Sequence, residues 1–361
     1  MMRLPWRGKA VPHAVLDILR GCNCRCRHCY NGGREPVCKS REELRGELSV
    51  LRSCRNLKTV SLSGGEPLMH PQILDIVRWL RWEEGLTVNT LTNGILLDDA
   101  MAAKLADAGL GMITIHVQKG QARPDADDAG MSALLAEKGR IARAHGIFPA
   151  ADETVGADDA DEFRRFGLFM RQTPAFEYAL VTVAGDFRAI RADSPQADVD
   201  PSVLVKALDD VGYTPSVFVG GKYDPDCPRW YVFQSTQAVD AAGRERDWNR
   251  FRPSWPERAF LLFYAKCCRR SIHWIRSSSA ALKVRLSLNG LTGGHFSTFM
   301  FAVKAVLHGW RLLEKHIIVQ LPPQSLGDGR VEICDNCPDA TVRNGRLHPL
   351  CLNDLKEEIP V

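Results

Sequence analysis

Three things are scarce in this 361-residue chain. No segment reaches the roughly 18 consecutive apolar residues of a membrane-spanning helix, which excludes a helical integral membrane protein. The N-terminus, M-M-R-L-P-W-R-G-K-A, has basic residues but no apolar stretch of signal-peptide length behind them, so a cytoplasmic location is expected. Acidic residues are almost missing between Arg258 and Lys315. Ten Lys or Arg stand there against Glu314 alone, a local charge of +9 in a chain whose net charge is +4. That imbalance calls for an anionic partner or surface. With 45% hydrophobic and 25% charged residues the chain reads as globular, with one large or two modest cores, and no internal repeat is evident.

Cysteine, by contrast, is plentiful, with twelve residues. In a cytoplasmic protein disulfides are rare, and clustered thiols more often bind metal. Cys22, Cys24, Cys26 and Cys29 form one group, and Cys334, Cys337 and Cys351 another. Cys38, Cys54, Cys227, Cys267 and Cys268 are scattered and read as small hydrophobes.

From Ala14 to about Val183 the pattern alternates strand-like with helix-like segments. The strands are expected at 14–19, 59–62, 87–91, 112–117, 146–148 and 178–183, and the helices at 40–53, 71–81, 98–108, 131–145 and 158–170. Such alternation implies a parallel sheet with crossover helices, and six units make an open or partial barrel. Function in parallel α/β folds gathers at the C-terminal ends of the strands. Two motifs fall there: C-N-C-R-C-R-H-C-Y at 22–30, a C-x3-C-x2-C spacing, and S-G-G-E-P at 63–67. Beyond 183 the alternation fades into Pro-rich and charged connections, so a domain boundary is placed near residue 200, within 184–215.

The cysteine spacing, Tyr30 behind it and the S-G-G-E-P loop together resemble the radical S-adenosylmethionine (SAM) superfamily. The resemblance implies a partial (β/α)6 barrel over residues 1–200 and a [4Fe–4S] cluster on Cys22, Cys26 and Cys29. Three thiolates leave one iron open. In the family SAM takes that iron, and its reductive cleavage yields a 5′-deoxyadenosyl radical that abstracts hydrogen from substrate. Tyr30, Ser63, Gly64, Gly65, Glu66, Asn93 and His116 are then the candidate cofactor-binding residues. Cys24 is extra to the pattern and non-ligating. The alternative is a zinc knuckle on the same thiols, with His28 as a candidate fourth ligand. An Asn-Gly turn is the plainer reading of Asn93, and a structural role that of His116.

The second group, Cys334, Cys337 and Cys351, has the spacing C-x2-C-x13-C. It resembles the auxiliary-cluster motif of the molybdenum-cofactor GTP 3′,8-cyclases, which implies a second Fe–S cluster in an α-rich C-terminal extension, residues 201–361. Zinc is the alternative. Cys227, Cys267 and Cys268 are candidates for a fourth ligand. Resemblance to the cyclases stops there, since the chain ends E-E-I-P-V and the block at 258–316 is foreign to them.

In that block Phe299 to Leu313 reads as an amphipathic helix. Cations beside Trp and Phe suit an anionic bilayer or a phosphorylated substrate, with nucleic acid the least favoured. The expectation is a radical SAM oxidoreductase acting on an anionic or amphipathic (phosphorylated or lipid-linked) substrate that the block brings over the barrel mouth. A nucleotide or a peptide is the alternative substrate class, and no catalytic residue is identified. Partners are a reductant such as flavodoxin or ferredoxin and a peripheral membrane contact. The competing class is a non-enzymatic zinc-binding interaction protein with a basic surface.

Overall fold

The computed structural model describes residues 1–4, 6–26, 29, 37–185, 190–196, 198–268 and 277–352, leaving aside the side chains of 265, 266 and 268. The chain opens with a two-residue strand, β1 (Met2–Arg3), then β2 (His13–Leu19), buried at six of its seven positions. A short β3 (Arg25–Cys26) lies inside the first cysteine loop. Helix α1 (Arg41–Cys54) starts on a capping box formed by S-R-E-E at 40–43. Ser40 Oγ accepts the Glu43 N–H at 3.2 Å, and the Glu43 carboxylate accepts the Ser40 N–H at 2.7 Å. Leu44, Leu48 and Leu51, at helical spacing, are its buried face.

The chain then alternates strand and helix: β4 (Thr59–Gly64), α2 (Ile73–Arg78), β5 (Thr87–Thr92), α3 (Asp99–Ala108), β6 (Met112–His116), β7 (Gln121–Ala122), α4 (Met131–Ala144), β8 (Phe148–Val155), α5 (Ala160–Gln172) and β9 (Tyr178–Val183). Strands β2, β4, β5, β6, β8 and β9 lie side by side and all pair in parallel. These are the six units of the expected partial barrel. One boundary moved materially: β8 begins at Phe148 and runs on to Val155. Its A-A-D-E-T stretch carries no strand-like pattern, but Ala150 to Glu153 are all buried between β6 and β9. Sheet pairing overrode local propensity there.

The sheet does not stop near residue 200. After α6 (Pro201–Asp210) come β10 (Thr214–Gly220), β11 (Pro228–Val239) and β12 (Glu245–Arg250), then α7 (Trp255–Cys268), α8 (Ser279–Thr292), α9 (Phe296–Leu307) and β13 (Arg311–Gln320). Strand β13 pairs in parallel with β9, and β11 joins β13 to β10, giving eleven strands among the described residues. Two short pairs, β14 (Gln324–Ser325) with β15 (Val331–Glu332) and β16 (Ala340–Arg343) with β17 (Arg346–Pro349), finish the chain. The extension is therefore mixed rather than α-rich, and its strands continue the barrel's own sheet.

The expected helix Phe299–Leu313 is also corrected. Helix α9 ends at Leu307, Gly309 adopts φ +64°, and residues from Arg311 enter β13. A left-handed glycine reverses the chain where the hydrophobic pattern alone runs on.

Part of the basic block is interior. Lys315 is fully buried, and its Nζ donates to the carbonyls of Met170, Thr173 and Phe176 at 2.8, 3.1 and 2.6 Å, capping the C-terminal end of α5. Burial pulls its pKa down to about 7. Arg285 is held between Glu257 and Glu314 at 2.6 and 2.9 Å. The +9 was thus overstated as surface charge, because Glu257 lies one residue outside the counted window. No described helix is long and apolar enough to cross a membrane.

Candidate cofactor and substrate site at the strand ends

Two loops meet at the C-terminal ends of β2 and β4, and backbone holds them together. Gly65 N–H donates to Leu19 O at 2.6 Å and Glu66 N–H to Gly21 O at 2.8 Å. The approach leaves no room for a side chain. A Cβ on Gly64 (φ +137°) would fall 2.0 Å from Leu19 O, and one on Gly65 would fall 1.9 Å from Gly21 O. The two glycines thus bring the S-G-G-E-P loop against the chain that leads into Cys22.

Glu66 is fully buried and braces the next strand end. One carboxylate oxygen accepts from Thr92 Oγ1 at 2.7 Å and Leu68 N at 3.0 Å, and the other from Asn93 N at 2.7 Å. Burial pushes its pKa up, against the pull of these donors. Both oxygens are committed to the fold, and Ser63, Gly64 and Gly65 line the cavity beside it. Asn93 forms the expected turn: its Oδ1 accepts from Ile95 N at 3.0 Å, while Nδ2 donates to Asn23 Oδ1 at 2.7 Å and reaches Cys22 Sγ at 3.7 Å.

Cys22, Cys24, Cys26 and Cys29 all line this cavity. Strand β3 pairs antiparallel with β7, which sets Cys26 opposite Gln121. The extra thiol, Cys24, is buried and donates to Ala122 O at 3.7 Å, tying the loop to that strand. Burial pushes the Cys22 and Cys26 thiols up, Cys26 to about 12, and their neighbouring thiols add to it. Tyr30 and His28 lie outside the described residues. Among the described residues no three Cys, His, Asp or Glu are drawn together tightly enough to be a ready metal site.

The opposite wall comes from later strands. His116 Nδ1 meets Asp152 Oδ2 at 3.0 Å; burial opposes protonation of the ring, but the Asp152 carboxylate outweighs it and raises the pKa. Gln118 accepts the Thr154 N–H at 2.6 Å, and Thr182 and Gln320 complete the polar lining. Asp152, Thr154, Asn23 and Gln320 were missed in the sequence. Asp152 was lost because β8 was expected to end at Phe148.

Cys351 lines the same cavity, so the chain's two cysteine groups converge. The N-G of N-G-R-L-H-P-L-C-L turns β16 into β17 with φ of +48° and +74° at Asn344 and Gly345, a hairpin that returns the chain to Cys351. Cys334 bridges Gly221 just past β10, and Cys334 and Cys337 are both buried. Arg55 donates to the carbonyls of Cys337 and Pro338 at 2.6 and 3.0 Å and to His13 O at 2.6 Å. Arg3 pairs with Asp335 at 2.6 Å, and the Gly8 N–H reaches Asn336 Oδ1 at 2.8 Å. The Cys334 thiol is pushed well up, by its hydrogen bond with Cys337, burial and the other two thiols. Cys227 turns its thiol to Asp198 Oδ2 at 3.6 Å, Cys267 is exposed, and the Cys268 side chain lies outside the described set.

The fit to an iron–sulfur cluster rests on donor chemistry. Both groups are clusters of soft thiols, and burial and neighbouring thiols push Cys22, Cys26, Cys334 and Cys351 up, the condition a bound metal centre reverses by stabilising thiolates. Cys22, Cys26 and Cys29 would hold one cluster and Cys334, Cys337 and Cys351 a second.

Residues 16–144 match the Radical SAM superfamily. The chain is similar to a "Probable GTP 3',8-cyclase" of Methanocaldococcus jannaschii, 28% identical over 113 residues, which cover 30% of this chain and 37% of that protein. It is also similar to a "PqqA peptide cyclase" of Rhodopseudomonas palustris, 34% identical over 140 residues, covering 37% and 36%. The solved structure of Streptococcus suis SuiB bound to S-adenosylmethionine aligns with a TM-score of 0.39 at 14% identity, over 48% of this chain and 41% of that one. The chain thus spans little more than a third of the length of these two relatives. The radical SAM superfamily works with a [4Fe–4S] cluster and SAM, and it is over residues 16–144 that this chain is similar to it.

Proposed function

We propose that the protein is a radical SAM enzyme that abstracts hydrogen from an anionic substrate held in the cavity at the strand ends. The observation that carries this is the convergence of Cys22, Cys26 and Cys29, the Ser63–Gly65 loop and the His116–Asp152 pair on one cavity. When bound, the reduced cluster and SAM supply a 5′-deoxyadenosyl radical.

The chain's own residues have separable tasks in this reading. Gly64, Gly65 and Glu66 hold the cysteine loop against the ends of β4 and β5. Asn93, fixed through Asn23, and Ser63 offer polar groups to SAM. Asp152 raises the His116 pKa and orients the ring, whose Nε2 is assigned to a substrate carboxylate or phosphate on the wall opposite the cysteines. Tyr30 completes the cofactor set by its place in the motif. A flavodoxin or ferredoxin is the reductant.

In this reading His116, rather than the basic block, is the group that meets an anionic substrate. The block was expected to sit over the barrel mouth. Its described helices root instead at the opposite strand ends, where Ser279 Oγ accepts the Leu312 N–H at 2.9 Å and Thr298 donates to Asn249 at 3.0 Å. Leu312 lies eight residues before Gln320 on β13, about 26 Å at 3.3 Å per residue. A phosphorylated small molecule, a nucleotide or an acidic peptide all meet the charge requirement, and delivery of a lipid-linked substrate by the block is not retained.

Anaerobic reconstitution tests the proposal. About eight irons per chain, with SAM-dependent formation of 5′-deoxyadenosine under dithionite, is the expected result for two clusters, and about four irons leaves only the first. Zinc without iron would overturn it.

A further inference from the structure

The helices after residue 254 treat their apolar side chains differently from the barrel helices. Helix α1 buries one apolar stripe and turns charge to solvent. Helix α8 buries Leu282 and Leu286 in a small core with Phe301, Ala302 and Ala305 of α9. Its opposite side carries Val284, Leu288 and Leu291, at spacings of four and three, as a second apolar stripe 58–63% exposed. Helix α9 leaves Phe296 and Leu307 exposed at 70% and 76%, and α7 exposes Trp255 at 78% together with Phe260 and Phe263. A helix that is apolar on both sides belongs in a core or at a lipid boundary, and contiguous exposed apolar surface of this kind marks an interaction site.

The charge around this face is one-sided. Arg252, Arg258, Lys304 and Arg311 are exposed, and Lys304 alone has a distant carboxylate, Asp247 at 3.6 Å. The carboxylates within residues 251–314 are Glu257 and Glu314, and both turn inward to Arg285. A second copy of the chain meeting this face isologously would set cations against cations. A spanning arrangement is ruled out by length: helices of 14, 14 and 12 residues reach about 20 Å at 1.5 Å per residue, against a hydrocarbon core of about 30 Å. Apolar side chains flanked by exposed cations, with no exposed acid among the described residues of the unit, are what a structure lying in an anionic headgroup region presents.

We infer that α7, α8 and α9 form a docking face for an anionic lipid bilayer, independent of the radical chemistry at the other end of the strands. The face anchors the protein without placing the cavity mouth in the lipid.

Flotation of the full-length, anaerobically reconstituted chain with vesicles tests this. Wild type should float with phosphatidylcholine vesicles containing phosphatidylglycerol and not with phosphatidylcholine alone, and 0.5 M salt should release most of it. A Val284→Glu, Leu288→Glu, Leu291→Glu variant alters solvent-facing positions only. It should lose binding at least tenfold with unchanged thermal unfolding and unchanged 5′-deoxyadenosine formation. Arg258→Gln should weaken binding about fivefold, since each cation near such a surface is worth about 1 kcal/mol. Three results would overturn the inference: no flotation of wild type, flotation of the triple variant equal to wild type, or a wild-type dimer in light scattering that the triple variant splits while vesicles go unbound.

Discussion

The two cysteine groups reach the same cavity but are built in opposite ways. Cys22 and Cys29 are exposed on a loop steadied by a two-residue strand and by Asn93. Cys334 and Cys337 are part of a core with Leu4, Trp6 and Val219, and their loop is tied down by Arg55, Arg3 and Gly8. With the clusters proposed above, one residue type would serve two linkages between folding and metal. The first group can accept and release a ligand at little cost to the fold, whereas whatever the second group holds is coupled to global stability.

Alanine at one thiol of each group should break this comparison most visibly. Cys26→Ala should abolish 5′-deoxyadenosine formation while leaving the unfolding temperature within a degree or two. Cys337→Ala should lower that temperature by several degrees as well as removing iron. Equal shifts in differential scanning calorimetry would refute the distinction.

Next in size is Arg55→Met, which leaves the buried carbonyls of Cys337 and Pro338 and the part-buried one of His13 without their donor. A loss of about 3 kcal/mol is expected in urea unfolding, with iron at the first group retained. Gly65→Ala forces a Cβ into Gly21 O and should cost about 1–3 kcal/mol. Its larger effect falls on the cysteine loop, so SAM cleavage should drop more than stability does.

The smallest expected effect is a pH dependence with opposite signs at two barrel histidines. His116 has a raised pKa, so its stabilisation is complete below the unfolded value near 6.5 and fades as pH rises through the folded one. His13 is lowered to about 4, by burial and then by Arg55, so its contribution is present above the unfolded value and is lost as pH falls toward 4. Asp152→Asn should bring the His116 titration down in NMR and weaken anion binding at pH 7. An unmoved titration would remove Asp152 from that role.

Local patterns were legible where the physics is local. The capping box at Ser40 and Glu43 and the strand–helix alternation from Ala14 to Val183 formed as written, because each rests on contacts within a few residues. Long-range pairing was not legible. Nothing near residue 152 marks Asp152 as a strand residue facing His116, and nothing near Lys315 says that three carbonyls of another segment will bury it.

The sequence by itself thus determined the barrel's repeating unit, the thiol spacing and the turn chemistry. The tertiary structure alone decided that Gly64 and Gly65 serve the cysteine loop and that Cys351 joins the cavity of Cys22. It also decided that the sheet runs on through β13 and that the apolar helices lie away from the mouth. The reason is the same in each case. A close backbone approach, a buried cation or an extra parallel strand draws its free energy from partners tens to hundreds of residues away, and no local pattern encodes which partners those are.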